Sequence, residues 1–343
     1  MSTSDADMTP VSSRGALRAG DKVQITDPKG RLHTIVLSPG KIFHTHQGQL
    51  FHDELIGQPE GSVVHSAAGV PHQVLRPTLE DFTLSMPRGA AIIYPKDAAL
   101  IVGMGDIYPG ATVCEAGLGS GALTMALLRA VGTTGTVHSF ELREDFATLA
   151  AHNIDDFFGQ TPPHWSYTVG NIAEELPTQW APESVDRIVL DMLNPWDVIP
   201  AITTSLRPGG MLICYVATVP QLSRTAEAVR NSGLYAEPTG VESLVRSWHL
   251  KNLAVRPEHR MIAHTGFLLF ARRLASDTSP MVRHSRTQTG EPDEADTAAW
   301  FEPEMTAESL GQRTSSPKKM RRLTRDAGAR RRVNNEQTEN IVD

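Results

Sequence analysis

From about residue 93, short apolar runs alternate with helix-like runs, and this alternation constrains the fold more than any other feature of the 343-residue chain. "ATVCEAG" reads as a strand, and "ALTMALLRAVG" as the helix after it, ending at Gly132. "GTVHSFEL", "WSYTVGN", "VDRIVLD" and "MLICYVAT" read as further strands. Between and after them come the helix-like runs "EDFATLAAHNIDDFFG", "VIPAITTSLRPGG" and "VPQLSRTAEAVRNSG". Strands separated by helices of this length build βαβ units around a parallel sheet, so the fold class is α/β. "AEPTGVESLVRSW" and "HTGFLLFARRL" add two strands, expected as an antiparallel pair at the sheet edge. Ahead of this region, 16–80 alternates short β-rich runs with turns such as "DPKG", which predicts a small all-β domain. The expected division is a flexible N-terminus (1–15), the β domain (16–80), the α/β domain (81–275) and a disordered tail (276–343), acidic then basic.

The formal net charge of −7 argues weakly against a nucleic-acid partner, but the charge is segregated. "EPDEADTAAWFEPE" (291–304) is acidic, whereas "SPKKMRRLTRDAGARRR" (316–332) is basic and adds attraction for phosphates. No apolar run is long enough for a transmembrane helix, and no secretory signal opens the chain. Cys114 and Cys214 sit in apolar strands and read as buried thiols of a reducing cytoplasm. No Cys/His spacing fits zinc, and "HTH" (44–46) reads as a polar turn or strand end.

Polar residues end four successive strands. In "CEAGLGSGALT" (114–124) a strand runs into Gly117, Gly119 and Gly121 before a helix, where free backbone N–H groups await a ligand. The spacing formally fits the dinucleotide fingerprint GxGxxA. Glu115 and the GxGxG pattern suit the methionine end of S-adenosylmethionine better. Glu141 ends the second strand, as a carboxylate for both hydroxyls of an adenosine ribose or as an acid in the N-cap region of a helix, before "REDF". Asn171 either faces the adenine edge or caps the following helix. Asp191 ends the fourth strand as a site residue or a capping aspartate, before "NPW", whose Trp196 is either a wall for a base taken out of its stack or a core residue.

Five stretches, "FHTHQG", "SMPRGAAIIYPKDAALIV", "EAGLGSGALT", "VDRIVLDMLNPW" and "LRPGGMLICYVATVPQ", make the chain resemble the tRNA (adenine-58-N1)-methyltransferases of the bacterial and archaeal homotetrameric type, nearest to actinobacterial members. The resemblance spans about 16–275. It implies a Rossmann-like S-adenosylmethionine-dependent methyltransferase domain behind an N-terminal β domain, a tRNA T-loop adenosine as substrate, and a cytoplasmic homotetramer. By position it makes Leu118, Gly119, Ser120 and Gly121 the loop around the cofactor's methionine part, with Glu115 just before it. It also makes Glu141 the ribose ligand and Asn171, where the family often has aspartate, the adenine neighbour. Asp191 falls between cofactor and target adenine, and Tyr94 and Tyr215 fall where the family faces the target base. His249 reads as a structural histidine, and Arg88, Lys96, Arg246 and Arg256 are candidates for phosphate contacts.

Three readings compete with a methyltransferase acting on tRNA. A nicotinamide-dependent oxidoreductase on the same loop leaves "DMLNPW" unexplained. A non-catalytic tRNA-binding protein with a retained fold, and a methyltransferase with another acceptor, share the loop and the acids.

Overall fold

The computed structural model describes residues 15–281 and 315–339, with side chains of the final helix described to residue 328. The sequence expectations for residues 1–14 and for the acidic segment 291–304 fall outside the described residues. Two compact units separate, the first formed by 1–87 with 151–162 and 321–343, the second by 88–150 and 163–320. The break therefore falls at Pro87/Arg88 rather than at 80/81.

In the first unit, β1 (Lys22–Thr26) and β2 (Leu32–Val36) form a hairpin. Its turn is tied by Asp27, whose carboxylate accepts the N–H groups of Lys29 and Arg31 at 2.8 and 2.9 Å. Next come β3 (Ile42–Thr45), β4 (Gly48–Phe51), a single helical turn α1 (His52–Leu55), β5 (Val63–His65) and β6 (Pro71–Leu75). The antiparallel order is β2-β1-β6-β5, with β3-β4 as a separate hairpin. Alternation along β1 buries Val23 and Ile25, which meet Leu37, Leu50, Leu55 and Val74 in a small core. Helix α2 (Leu79–Ser85) starts at a capping box between Thr78 and Asp81.

The second unit opens with α3 (Pro95–Met104), followed by β7 (Thr112–Ala116), α4 (Ala122–Val131), β8 (Thr136–Glu141), α5 (Glu144–Phe158) and β9 (Trp165–Val169). Then come α6 (Ile172–Gln179), β10 (Val185–Asp191), α7 (Pro195–Ile202), β11 (Leu206–Val216) and α8 (Val219–Ser232). Four strands, β12 (Thr239–Glu242), β13 (Trp248–Lys251), β14 (Ala254–Pro257) and β15 (Phe267–Arg272), and a last helix, α9 (Pro317–Glu339), complete the order. The seven-stranded sheet runs β12-β15-β11-β10-β7-β8-β9. Strands β7 to β11 are parallel, while β15 is antiparallel to both β11 and β12, the edge pair expected from sequence. Its core packs Cys114, Ile188, Leu190, Leu212 and Cys214, all fully buried, and both cysteines are free thiols.

Chain order reverses beside β7, because β8 and β9 lie on one side of it and β10 and β11 on the other. Such a switch point opens a crevice at the carboxyl ends of the strands, where open α/β sheets bind ligands.

Three elements depart from the sequence reading. "LRPGG" is not a helix end but the start of β11, where Val185 pairs with Leu206 and Arg187 already pairs with Met211. The extra residues bulge out, and Gly209 supplies the positive φ of 75° that the bulge needs. A hairpin of β13 and β14, missed in sequence, follows β12. The tail is not uniformly structureless: 317–339 is helical, with Pro317 at its first position and Met320 and Ala327 buried at i and i+7. A run of Lys, Arg, Ala and Leu favours a helix whenever two such side chains find a core. No described helix is long and apolar enough to cross a membrane.

Candidate active site

A cleft of about 980 Å³ opens at the switch point of the second unit. Its floor is the loop after β7. Gly117 has φ +89°, and a Cβ there would run into the carbonyl oxygen of Asp191 on the neighbouring strand. The backbones of β7 and β10 therefore meet with no side chain between them. Gly119 and Gly121 also have positive φ, and Gly121 opens α4 from the left-handed region.

Glu141 holds this loop. Its Oε2 accepts the Gly119 N–H at 3.0 Å and its Oε1 accepts the Arg143 N–H at 3.1 Å. A carboxylate accepts about four hydrogen bonds, so capacity for two more donors remains toward the cleft. Asn171 caps a helix and also lines the cleft. Its Oδ1 caps α6 by accepting the Ala173 N–H at 3.0 Å, and its residue lines the cleft with the amide NH₂ uncommitted. Phe140 and Ile172 supply apolar wall beside it.

Asp191 lines the cleft at the end of β10, in register with Tyr215 of β11. Its carboxylate makes no hydrogen bond among the described residues. Burial, and then the negative charges of Glu115 and Glu141, push its pKa up to about 7. Glu115 is likewise pushed up to about 7, by burial first, although the Ser139 hydroxyl donates to it at 2.6 Å. Three carboxyl groups held this close, with only Arg143 at 3.8 Å from Glu141 as an ion pair among the described residues, make this part of the cleft complementary to a positively charged ligand.

Tyr94 and Tyr215 both line the same cleft. The Tyr215 hydroxyl donates to the Thr265 carbonyl at 2.7 Å, and burial holds its pKa far above the ordinary phenol range. Tyr215 is thus a neutral wall and donor near neutral pH, not a base. Behind it, Asp97 collects Lys96 Nζ at 2.8 Å, the Ser243 hydroxyl at 2.7 Å and the Thr265 hydroxyl at 2.6 Å. Gly266 leaves room for the Tyr215 ring, which a Cβ would overlap.

Of the residues singled out in sequence, the cleft walls include Gly119, Glu141, Asn171, Asp191, Tyr94 and Tyr215. Glu115, Leu118 and Ser120 are buried behind the wall, and Gly121 turns the loop into α4. Lys96 is not available to phosphates: its side chain is 5 % exposed and paired with Asp97. Trp196 is not part of the wall, and the guanidinium of Arg224 lies 4.4 Å above its ring. His249 pairs at 3.6 Å with Glu258. Arg88, a phosphate candidate in sequence, lines the cleft. Sequence reasoning missed His264 and Thr265, whose positions there depend on loops without motif character. It used "YPKD" for its tyrosine, whereas the Lys96–Asp97 pair of that motif organises the wall.

A family model described as TrmI-like N-terminal matches residues 15–64, and one described as tRNA methyltransferase complex GCD14 subunit matches residues 72–256. The tRNA (adenine(58)-N(1))-methyltransferase TrmI of Thermus thermophilus is 33% identical over 253 residues, covering 73% of this chain and 95% of that protein. The chain belongs to the tRNA (adenine-58-N1)-methyltransferase family. Among the solved structures that resemble it are two methyltransferases. One, a SAM-dependent O-methyltransferase from Thermotoga maritima, has 30% identity and a TM-score of 0.71, over 77% of this chain and 97% of that one. The other, the tRNA (m1A58) methyltransferase TrmI of Aquifex aeolicus, has 28% identity and a TM-score of 0.66, over 76% and 100%.

The residues present fit the S-adenosylmethionine that membership of this methyltransferase family implies. The glycine cradle admits a ligand against bare backbone, Glu141 keeps two acceptor positions for ribose hydroxyls, and the carboxyl cluster suits a sulfonium cation. The cleft lies at the upper end of the usual 300–1,000 Å³ for ligand pockets, so it has room for a nucleoside cofactor and part of a second ligand.

Proposed function

We propose that this protein transfers a methyl group from S-adenosylmethionine to N1 of adenosine 58 in the tRNA T-loop. Membership of the family supports the reaction. The single observation that carries the residue assignment is the Asp191 carboxylate, which lines the cleft beside the glycine cradle with no hydrogen-bond partner among the described residues.

When bound, S-adenosylmethionine supplies a methyl group on a sulfonium centre, with a neutral thioether as the leaving group. Glu141 holds the ribose hydroxyls and the Asn171 amide donates toward the adenine. Gly117 and Gly119 let the chain approach the methionine part. The target adenosine must leave its stack to expose N1, and Tyr94 and Tyr215 receive the ring as walls. Ionised Asp191 accepts a hydrogen bond from the adenine 6-amino group and orients N1 for in-line attack. Positioning of this kind is worth up to about 7–11 kcal/mol in well-aligned reactions. N1 gains positive charge as its bond to the methyl carbon forms, and the Asp191 charge stabilises it. A carboxylate whose pKa is about 7 is also matched to accept the proton that the amino group loses afterwards.

A homotetramer working in the cytoplasm completes the proposal. Its support is the β13–β14 arm and its flanks, which expose Trp248, Leu250, Leu253 and Val255 at 55%, 75%, 100% and 57%. Contiguous apolar surface of this sort favours association, here of copies of the chain.

Methyl transfer from labelled S-adenosylmethionine to unmodified tRNA transcript tests the reading. Label should enter the wild-type transcript and not one in which adenosine 58 is replaced by guanosine. Label in both transcripts, or in neither, rejects the substrate assignment.

A further inference from the structure

The family model ends at residue 256, yet the start of α9 reaches the cleft, with Ser315 and Lys319 among its lining residues. This contact is built. The Ser315 hydroxyl donates to the Gly89 carbonyl. Met320 is 2% exposed, and a Cβ on Gly89 would lie 2.5 Å from its Sδ and 3.0 Å from Phe146 Cζ. On its other side the Gly89 N–H donates to Ser120 Oγ, in the glycine loop, at 3.4 Å. Gly89 thus joins the loop, α5 and the C-terminal segment, and a Cβ there would displace the Met320 side chain.

Charge adds a second argument. S-adenosylmethionine carries one anionic group, the carboxylate of its methionine part, beside two cationic ones. The acidic groups Glu115, Glu141 and Asp191 suit the cations. The cations on the wall are Arg88, Arg143 and Lys319; Arg143 is engaged over the Phe146 ring, 3.5 Å from its centroid, and lies 3.8 Å from Glu141. Lys319 is exposed and makes no ion pair among the described residues.

We propose that Ser315–Met320 is part of the cofactor site, with Met320 and Ser315 seating the Gly89 turn on the glycine loop and the Lys319 ammonium pairing with the cofactor carboxylate. This inference rests on the methyl-donor reading above.

The test is calorimetric titration of the full-length protein with two probes. S-adenosylhomocysteine has the carboxylate; 5′-methylthioadenosine has the same adenosine and thioether but lacks it. Lys319→Ala should weaken S-adenosylhomocysteine roughly tenfold, as for loss of a charge-assisted bond, and leave methylthioadenosine within about twofold. Met320→Ala should weaken both probes. Lys319→Ala is an exposed change and leaves folding intact, so it decides the case even if Met320→Ala unfolds. Unchanged S-adenosylhomocysteine affinity in Lys319→Ala, or equal loss of both probes, overturns the pairing. A fall in tRNA affinity alone would assign the lysine to RNA phosphate and overturn it too. Failure of the wild-type protein to bind S-adenosylhomocysteine would remove the methyl-donor reading, and this inference with it.

Discussion

Replacing Asp191 by asparagine should make the protein more stable and far less active. The folded state holds this carboxyl at a pKa of about 7, against 3.8 for an ordinary aspartate. Between those values the native state binds a proton that the unfolded chain has lost. Stability therefore falls as pH rises from about 4 to about 7 and stays at the reduced level above. The full difference corresponds to about 4 kcal/mol, since one pH decade is worth about 1.4 kcal/mol. Asp191 is half-buried at an open cleft, and screening by solvent brings the expected gain to about 1–2 kcal/mol. At about 2–4 °C per kcal/mol, Asp191→Asn should melt several degrees higher at pH 8 and show little difference at pH 4. Asparagine keeps the shape and removes the charge, so turnover should drop roughly 10²- to 10³-fold, as on loss of one preorganised electrostatic partner. Thermal unfolding across pH and single-turnover methylation measure the two effects. An Asp191→Asn protein that is no more stable at pH 8, or equally stabilised at pH 4 and 8, refutes the charge-cluster reasoning.

Further outcomes follow from the same contacts. In the wild-type protein, kcat/KM should rise with pH through about 7 as Asp191 ionises, and a flat profile between pH 5 and 8 would count against its role. Gly117→Ala combines positive φ with a collision at the Asp191 carbonyl; it should abolish S-adenosylhomocysteine binding in calorimetry and lower the melting temperature. Gly266→Ala displaces the Tyr215 ring and should raise KM for tRNA while leaving S-adenosylhomocysteine affinity unchanged. Asp97→Ala strands the buried Lys96 ammonium and should cost about 3–5 kcal/mol of stability, read by denaturant unfolding. Trp248→Asp on the exposed β13–β14 arm should shift the particle mass to smaller species in light scattering, if copies associate there.

The sequence made the sheet readable because each parallel strand is an apolar run followed by a helix, and period alone separates the two. The strand-end polar residues were readable for the same reason. Once β7, β8 and β10 are parallel neighbours, Glu115, Glu141 and Asp191 must fall at one edge. Which of them faces the ligand was not readable. Glu115 precedes the loop and looks exposed to it in sequence, but its side chain points into the layer where Ser139 and, behind it, Trp165 receive it. Lys96 looked like a surface cation, whereas Ser243 and Thr265, almost 150 and 170 positions later, complete its burial with Asp97. Contacts of that sequence separation leave no local pattern. The bulge at the start of β11 was misread because Pro-Gly-Gly is also a helix stop. Helix α9 was missed because charge dominates its composition, and among its described side chains Met320 and Ala327 are the buried ones.

Reverse transcription of the tRNA product tests N1 transfer at adenosine 58 most directly, because a methyl group on N1 blocks the Watson–Crick edge. Wild-type protein with S-adenosylmethionine should produce a strong stop at position 58 that is absent without cofactor and nearly absent with Asp191→Asn. Methyl incorporation without a stop at that position would contradict transfer to N1 of adenosine 58 and leave the cleft to serve another acceptor atom.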